Sequence, residues 1–435
     1  MKPKGLLIAV VLLAVLGGVT WWSNKSQADK AKAPAADAPA KLLTIPDDQF
    51  QEIKIKKVTG ELLSLKRENG KWRMTAPAPL PADQDAAASM VSTLANLNAD
   101  KVVEEKAADL KPYGLDLPTL DVQVVRKDGK TDRLLIGDDT LNGSGAYAKL
   151  ATDAKVVTVT TITKTSLDKR PDDLRDKRLL TFDSDKLSRV ELSAKGPAIE
   201  FGKNGQNEWQ IVKPRPLRAD GSAVDGLVGK LKDARMDLSE TDAAKKFAAA
   251  TKVATVTATD AGGTQTIEVR RDKDKNVFVK SSAVEGLYKA NADLADGVDK
   301  GVDDFRNKKL FDFGFSDPSR VDVQGKSYSK AGDKWTANGK TMDNSSVQTL
   351  IDKLRDLASI KFAEKGGGDP IFQAGVVSNS GKRTEKVTIS KQADKYFAQR
   401  EGEPSIYELD GKVVEDLQKA VSDVKEAAPE QPKKK

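Results

Sequence analysis

The chain has 435 residues, a net charge of +7 from 72 basic and 65 acidic side chains, and neither cysteine nor histidine. The missing thiols exclude disulfides, thiolate metal sites and a lipid-modified cysteine, and the missing imidazoles remove the usual general base and the commonest metal ligand. The basic excess is spread along the chain without a dense stripe of cations and interleaved aromatics, which argues against nucleic acid as a partner. An aromatic content of only 5% predicts small, aliphatic cores.

Met-Lys-Pro-Lys at the start leads into an uncharged run from Gly5 to Trp22. Its apolar stretch, extended by Trp21 and Trp22, is at the short end of the roughly 17–25 residues that a membrane-spanning helix needs. Lys2 and Lys4 would hold the N-terminus in the cytoplasm, and paired tryptophans suit the far membrane interface. The rival reading is a cleaved signal peptide with Ser26-Gln27-Ala28 as its small-x-small site. A tryptophan pair is a poor approach to such a site, so the expectation is an anchor over residues 1–22, with the bulk of the chain exported under either reading. Residues 23–42, rich in Ala, Lys, Asp and Pro, read as a flexible linker, and residues 426–435 as a disordered polar tail.

Between them one pattern recurs three times. Apolar residues follow Asp83, Asp220 and Asp343 at offsets of +4, +7, +8, +11 and +14: Ala87 to Leu97, Val224 to Ala234, and Val347 to Leu357. This is the stripe of an amphipathic helix behind an aspartate N-cap. Upstream of each helix lies an alternating strand (Glu52–Lys56, Arg189–Leu192, Arg320–Val323) and then a strand bearing Trp72, Trp209 or Trp335. Downstream, Leu120–Val124 and Arg133–Ile136 flank a hairpin turn at Lys127–Lys130. The second copy has Val253–Thr259 and Gln265–Arg270, and the third has Glu385–Ser390 after Asn379-Ser380-Gly381. A late strand containing Tyr147, Val277 or Tyr396 comes next, with a further apolar position at Val157, Leu287 or Ile406. Asp172–Leu179 parallels Asp303–Leu310 at the joints. Such agreement implies internal duplication into modules spanning residues 43–180, 181–311 and 312–425, each large enough to own a core.

Candidate chemistry is sparse. Asp293, Asp296, Asp299, Asp303 and Asp304 resemble a calcium loop at a glance, but the ladder of alternate ligands with Gly sixth and Glu twelfth is not met, which favours a solvated acidic joint. Ser166/Lys169, Ser327/Lys330 and Ser422/Lys425 match Ser-x-x-Lys without the accompanying motifs of a hydrolase. Asn142–Gly145 and Gly366–Gly368 lack the context of a phosphate cradle and read as loops. Paired acids for glycoside hydrolysis are not singled out by the sequence. The marker aspartates are expected to cap helices, and Trp72, Trp209 and Trp335 to pack strand against helix as core aromatics, with exposed stacking platforms as the rival reading. No cofactor or metal ligand set is expected.

Some segments carry a family likeness. Tyr113-Gly114-Leu115-Asp116-Leu117-Pro118 follows the first helix. Leu135-Ile136-Gly137-Asp138, Gly145-Ala146-Tyr147-Ala148-Lys149 and Asp173-Leu174-Arg175-Asp176-Lys177-Arg178-Leu179 come after it. In this order, with Trp72 and a Pro-x-Pro segment upstream, they resemble a bacterial family catalogued as domain of unknown function four-three-four-zero. The resemblance runs from Leu43 to Phe182 and recurs more weakly to about Lys425. The second and third copies lack the Tyr-Gly-Leu-Asp-x-Pro element. The resemblance implies a membrane-anchored envelope protein, often encoded beside an ABC transporter of the gliding-motility type, and it carries over no catalytic or binding residue.

The expected architecture is α+β: an N-terminal transmembrane helix, then three modules, each a mostly antiparallel sheet with one main covering helix. The expected role is non-enzymatic, as an accessory or scaffold subunit of an ABC-type transport complex, single-pass in the inner membrane with its bulk in the periplasm. The partners would be the membrane and a permease or auxiliary subunit. The alternative is a periplasmic module that binds an anionic envelope ligand, either wall glycan or lipid headgroup.

Overall fold

The computed structural model describes residues 41–314 and 318–428. The expected anchor with Trp21 and Trp22, nearly all of the linker, and residues 429–435 lie outside them. Among the described residues no helix is long and apolar enough to cross a membrane.

Three nine-stranded sheets form the framework of the described chain, and every strand pair in them is antiparallel. In the first module the strands are β1 (Phe50–Lys57), β2 (Leu62–Glu68), β3 (Lys71–Ala76), β4 (Leu80–Pro81), β5 (Lys101–Glu104), β6 (Leu120–Arg126), β7 (Thr131–Asp139), β8 (Gly145–Leu150) and β9 (Val156–Thr160). They lie side by side in the order β4-β3-β2-β1-β6-β7-β8-β9-β5. The second sheet, from Arg189 to Ala290, and the third, from Arg320 to Leu409, repeat that order strand for strand. The first four strands form a meander that walks to one edge. The chain must then reach β5 at the opposite edge, so the helix between them lies across one face of the sheet.

That helix spans Gln84–Ala95, Gly221–Lys232 and Asn344–Arg355 in the three copies. The apolar positions at the repeated offsets, Ala87 to Leu97, Val224 to Ala234 and Val347 to Leu357, are all buried. Each stripe faces the inward residues of its own sheet, and each module owns a separate core; the third is richer in aromatics than the composition suggested, with Phe311, Phe313, Tyr328, Trp335, Phe372 and Tyr407. Burial by alternate residues sets the strand register, since a slip of one residue would turn the whole apolar set to solvent.

Covering is not left to one helix. A second helix follows the ninth strand in each copy, at Thr161–Leu167, Asp293–Val298 and Gly411–Ser422, and packs beside the first. The two shorter ones escape a periodicity search because six or seven residues span barely two turns. After this helix the chain returns to the segment just before the cap. Ala82 pairs with Arg175, Ala219 with Arg306, and Met342 with Glu426. The capping residue's own amide is held as well, since Asp83, Asp220 and Asp343 donate to the carbonyls of Leu174, Phe305 and Lys425.

Module ends differ slightly from the expected ones. Leu179 and Leu180 pack in the second core, and Leu310 and Phe311 in the third. The amide of Leu42 donates to Leu97, and Ala427 donates to Thr341, so the linker and tail each give up two residues to folded structure. The chain divides into two compact units between Lys177 and Arg178, and the second unit holds both the second and third sheets.

One alignment requires correction. Tyr147, Val277 and Tyr396 are not equivalent. Ala146 and Ala148, Val277 and Val279, and Ala398 belong to the helix-covered cores. With a period of two, Tyr147, Phe278 and Phe397 therefore point to the opposite face. Each is covered there by the connection between the fifth and sixth strands, and this connection differs in every copy. In the first, Tyr113 stacks edge-on against Tyr147 with ring centroids 5.1 Å apart. In the second, a helix at Ala243–Ala249 brings Phe247 into a small cluster with Phe278. In the third, the Gly366–Gly368 run lies so close that a Cβ at Gly366 would come within 3.2 Å of the Phe397 ring.

Candidate functional site

Asp83, Asp220 and Asp343 stand at the N-caps of the three main helices. Asp83 accepts from the amides of Asp85 and Ala86, both at 3.0 Å, Asp220 from Ala223 at 3.2 Å, and Asp343 from Ser346 at 2.8 Å. The Ser345 hydroxyl, then the Ser346 amide, holds the Asp343 carboxyl below the usual carboxylate range. Trp72, Trp209 and Trp335 are buried within their modules' cores. The residue that opens each helix then distinguishes the copies. Gln84 and Asn344 turn back to bond the backbone of the tryptophan strand, while the second copy has Gly221.

Within the second compact unit, charged groups scattered from Glu208 to Tyr407 converge. Arg218 binds Asp312 with two bonds, Nε to Oδ2 at 3.0 Å and Nη2 to Oδ1 at 2.5 Å, and also donates to the Lys309 carbonyl and the Tyr407 hydroxyl. Beside it Arg400 donates to Glu385 at 3.0 Å, pairs with Glu403 at 2.8 Å, and donates to the Leu310 carbonyl. Glu385 also accepts the Asp312 amide on both oxygens. Burial pushes the Glu385 carboxyl and the Tyr407 hydroxyl up. For Arg218 burial pulls down, but Asp312, Tyr407 and Glu403 outweigh it. At the rim Arg383 meets Glu208 at 2.7 Å; the Asn204 amide first, then Arg383, holds the Glu208 carboxyl down. Arg306 lies 3.3 Å from the ring centroid of Phe362 and reaches Asp303 and Ser405. Paired and bidentate in this way, the cluster fastens the second module to the third. No sequence spacing signals it, because its members come from segments far apart in the chain.

Two cavities flank this cluster. One, of about 460 Å³, is lined by Trp209, Gly221 and Asp225 together with Arg218 and Arg383. The other, of about 690 Å³, lies on the third sheet's face away from its helices, along Gln373, Gly375, Lys386, Thr388 and Gln399. Its wall is ordered by Gln324, at φ 49°, whose side-chain amide donates to the Ile371 carbonyl at 3.0 Å and accepts from the Gln373 amide at 3.1 Å. The outward side chains along it are polar and of mixed sign, while about half of the lining surface is apolar.

The acidic joint is mostly exposed, and its aspartates are also paired. Lys230 binds Asp293 at 2.6 Å, Arg271 binds Asp296 and Asp299, and Asp304 accepts the Gly301 amide. Among the described residues no group of three or more acids is placed to hold a metal ion.

The motifs that carry the family likeness interlock in the first module. Tyr113 donates to Glu104 at 2.7 Å, and Gly114 turns the chain at φ 63° beside Asp138. Gly137 lies directly under this turn.

A family model described as "Domain of unknown function (DUF4340)" matches residues 72–208 and 209–374. The two matches begin at Trp72 and Trp209, equivalent positions of the first and second modules. No curated protein and no solved structure matches the chain.

Proposed function

The chain belongs to the DUF4340 family, whose function is unknown, and from that premise we propose that it is a non-enzymatic scaffold of the cell envelope that holds a subunit of an ABC-type transport complex. The observation that carries this reading is the uncovered face of the third sheet, where a cavity of about 690 Å³ opens along four strands. Helices take one face of each module, and the other is covered locally by the variable connection. The third connection is a glycine run, the smallest of the three, and it leaves the most sheet exposed. An open antiparallel face bearing hydrogen-bonding side chains is a surface for a partner polypeptide. In this reading residues 1–22 anchor the chain in the inner membrane and residues 23–42 tether it. The tether would raise the effective concentration of the modules beside the permease. An anionic envelope ligand has less support, because Arg218, Arg383 and Arg400 are engaged with acids.

The test is a detergent pull-down with tagged full-length protein after mild cross-linking. The wild-type chain should recover a permease or auxiliary subunit. The double variant Thr388→Arg/Gln399→Arg should lose it with an unchanged unfolding midpoint. Recovery of no transporter subunit, under conditions that preserve a known complex, overturns the reading.

A further inference from the structure

In two modules a carboxamide closes the free edge of the tryptophan strand. Gln84 Oε1 accepts the Trp72 amide at 2.8 Å and its Nε2 donates to the Trp72 carbonyl at 2.9 Å. Asn344 Oδ1 accepts the Trp335 amide at 3.2 Å, and its Nδ2 donates to the Asp333 carbonyl at 2.7 Å. Both are the first residue of the main helix, one after the capping aspartate.

The second module offers the same edge without the plug. Asn204 donates to the Glu208 carbonyl at 3.0 Å, so that pair is bonded across the hairpin, and the adjacent pair, Lys203 and Trp209, is not. The Trp209 N–H and C=O therefore face the other side of the strand, where Leu217–Arg218 pairs only as far as Gln210 and Gly221 follows. The one side-chain bond Trp209 makes is from its indole, to Asp225 at 2.8 Å. The space that Gln84 or Asn344 would occupy is part of the 460 Å³ cavity. A cavity of about 530 Å³ lies at the corresponding place in the third module, but Asn344 lines it and takes the Trp335 amide.

We propose that this edge of the second module binds a primary carboxamide, the side chain of an asparagine or glutamine presented by a partner polypeptide. A carboxamide has a donor and an acceptor side by side, matching an outward backbone N–H and C=O. A carboxylate has only acceptors and an ammonium only donors. The fold places this group at the edge twice, on the N–H and C=O of Trp72 in the first module and on the Trp335 N–H and Asp333 C=O in the third, where the Met342 amide donates to the Trp335 carbonyl. Arg218 and Arg383 in the lining are neutralised by Asp312 and Glu208, so the cavity favours an uncharged polar group. Asp225 fixes the indole, and Lys203 lies over its ring at 4.9 Å, so the tryptophan that frames the cavity is held in place. The site stands apart from the open face of the third sheet and does not depend on the transporter reading.

The experiment uses full-length protein labelled with 5-fluorotryptophan and observed by fluorine NMR, with the Trp209 signal assigned from Trp209→Phe. The probe is a blocked Gly-Gln-Gly tripeptide; blocked Gly-Glu-Gly and Gly-Gly-Gly are controls. The glutamine peptide should shift the Trp209 signal saturably and leave Trp72 and Trp335 in place. Gly221→Gln should abolish that shift by supplying the missing plug. A Cβ at Gly221 meets nothing within 4 Å, so the variant has room, and a Trp209 signal that stays away from its urea-unfolded position will show that the second module folds. No saturable shift, an equal shift with either control peptide, or an undiminished shift in Gly221→Gln overturns the proposal.

Discussion

Gly137 lies where a Cβ would come within 2.1 Å of the Tyr113 carbonyl oxygen and 2.9 Å of the Gly114 carbonyl. Both contacts are backbone, so neither can swing aside as a flexible side chain would. Gly137→Ala should therefore destabilise the first module by about 3 kcal/mol, the upper end of overpacking costs. Urea unfolding followed by tryptophan fluorescence would read this, and Val125→Ala, partly exposed at the far end of the same strand pair, serves as the reference. The caps act on a smaller scale. Asp83→Ala removes the acceptor for two first-turn amides and should cost about 1 kcal/mol. Asp83→Asn keeps an acceptor and should cost less; equal losses for the two would show that the cap does not act through its oxygen.

At the level of elements, the paired helices over each sheet decide stability. Gly411–Ser422 presents Val414, Leu417 and Ala420 to the third core beside the main helix Asn344–Arg355. Leu417 is fully buried, so Leu417→Ala should cost about 2–5 kcal/mol, the range for emptying a packed leucine site. A fall in the urea midpoint at unchanged slope would show that only stability changed. The connections between fifth and sixth strands, by contrast, solve one problem in three ways. Each shields one aromatic, Tyr147, Phe278 or Phe397, on the face that the main helices leave open. These segments change among the copies while strand order does not.

For the molecule as a whole, the Arg218–Asp312–Arg400–Glu385 cluster is what joins the second and third modules. Breaking a mostly buried pair by removing one partner leaves the other charge without compensation, so Arg218→Ala should lower the stability of this unit by about 3 kcal/mol. It should also split its unfolding into two resolvable calorimetric transitions. A single transition with an unchanged midpoint would mean that the modules hold together by other means. The rim has its own pH signature. The Glu208 carboxyl is held below its ordinary value by Asn204 and Arg383. Its contribution is present above the unfolded-state value and is lost as pH falls through the lower folded value. Acid titration of the wild type should show this loss, and Glu208→Gln should flatten that limb of the curve; added salt should weaken the effect, since the pair is partly exposed.

The repeated modules, the position and start of each main helix, the family and the burial of the tryptophan strands were legible in the sequence. Those features rest on local rules: a capping oxygen within three residues, an apolar stripe at helical spacing, alternation along a strand. The short second helices were not legible, because two turns carry too little periodicity. The true partner of Tyr147 was missed because sequence alignment by similarity ignores which face a residue occupies, and Phe278 and Phe397 sit one position away from the residues they resemble. The ionic cluster and the unplugged edge at Trp209 belonged wholly to the tertiary structure. The cluster joins side chains more than 180 positions apart, and the edge becomes visible only when Gly221 is seen at the spatial position of Gln84 and Asn344. Local chemistry thus determined what this chain builds three times over, while long-range packing, which alone brings distant charges and strand edges together, decided where the three copies cease to be alike.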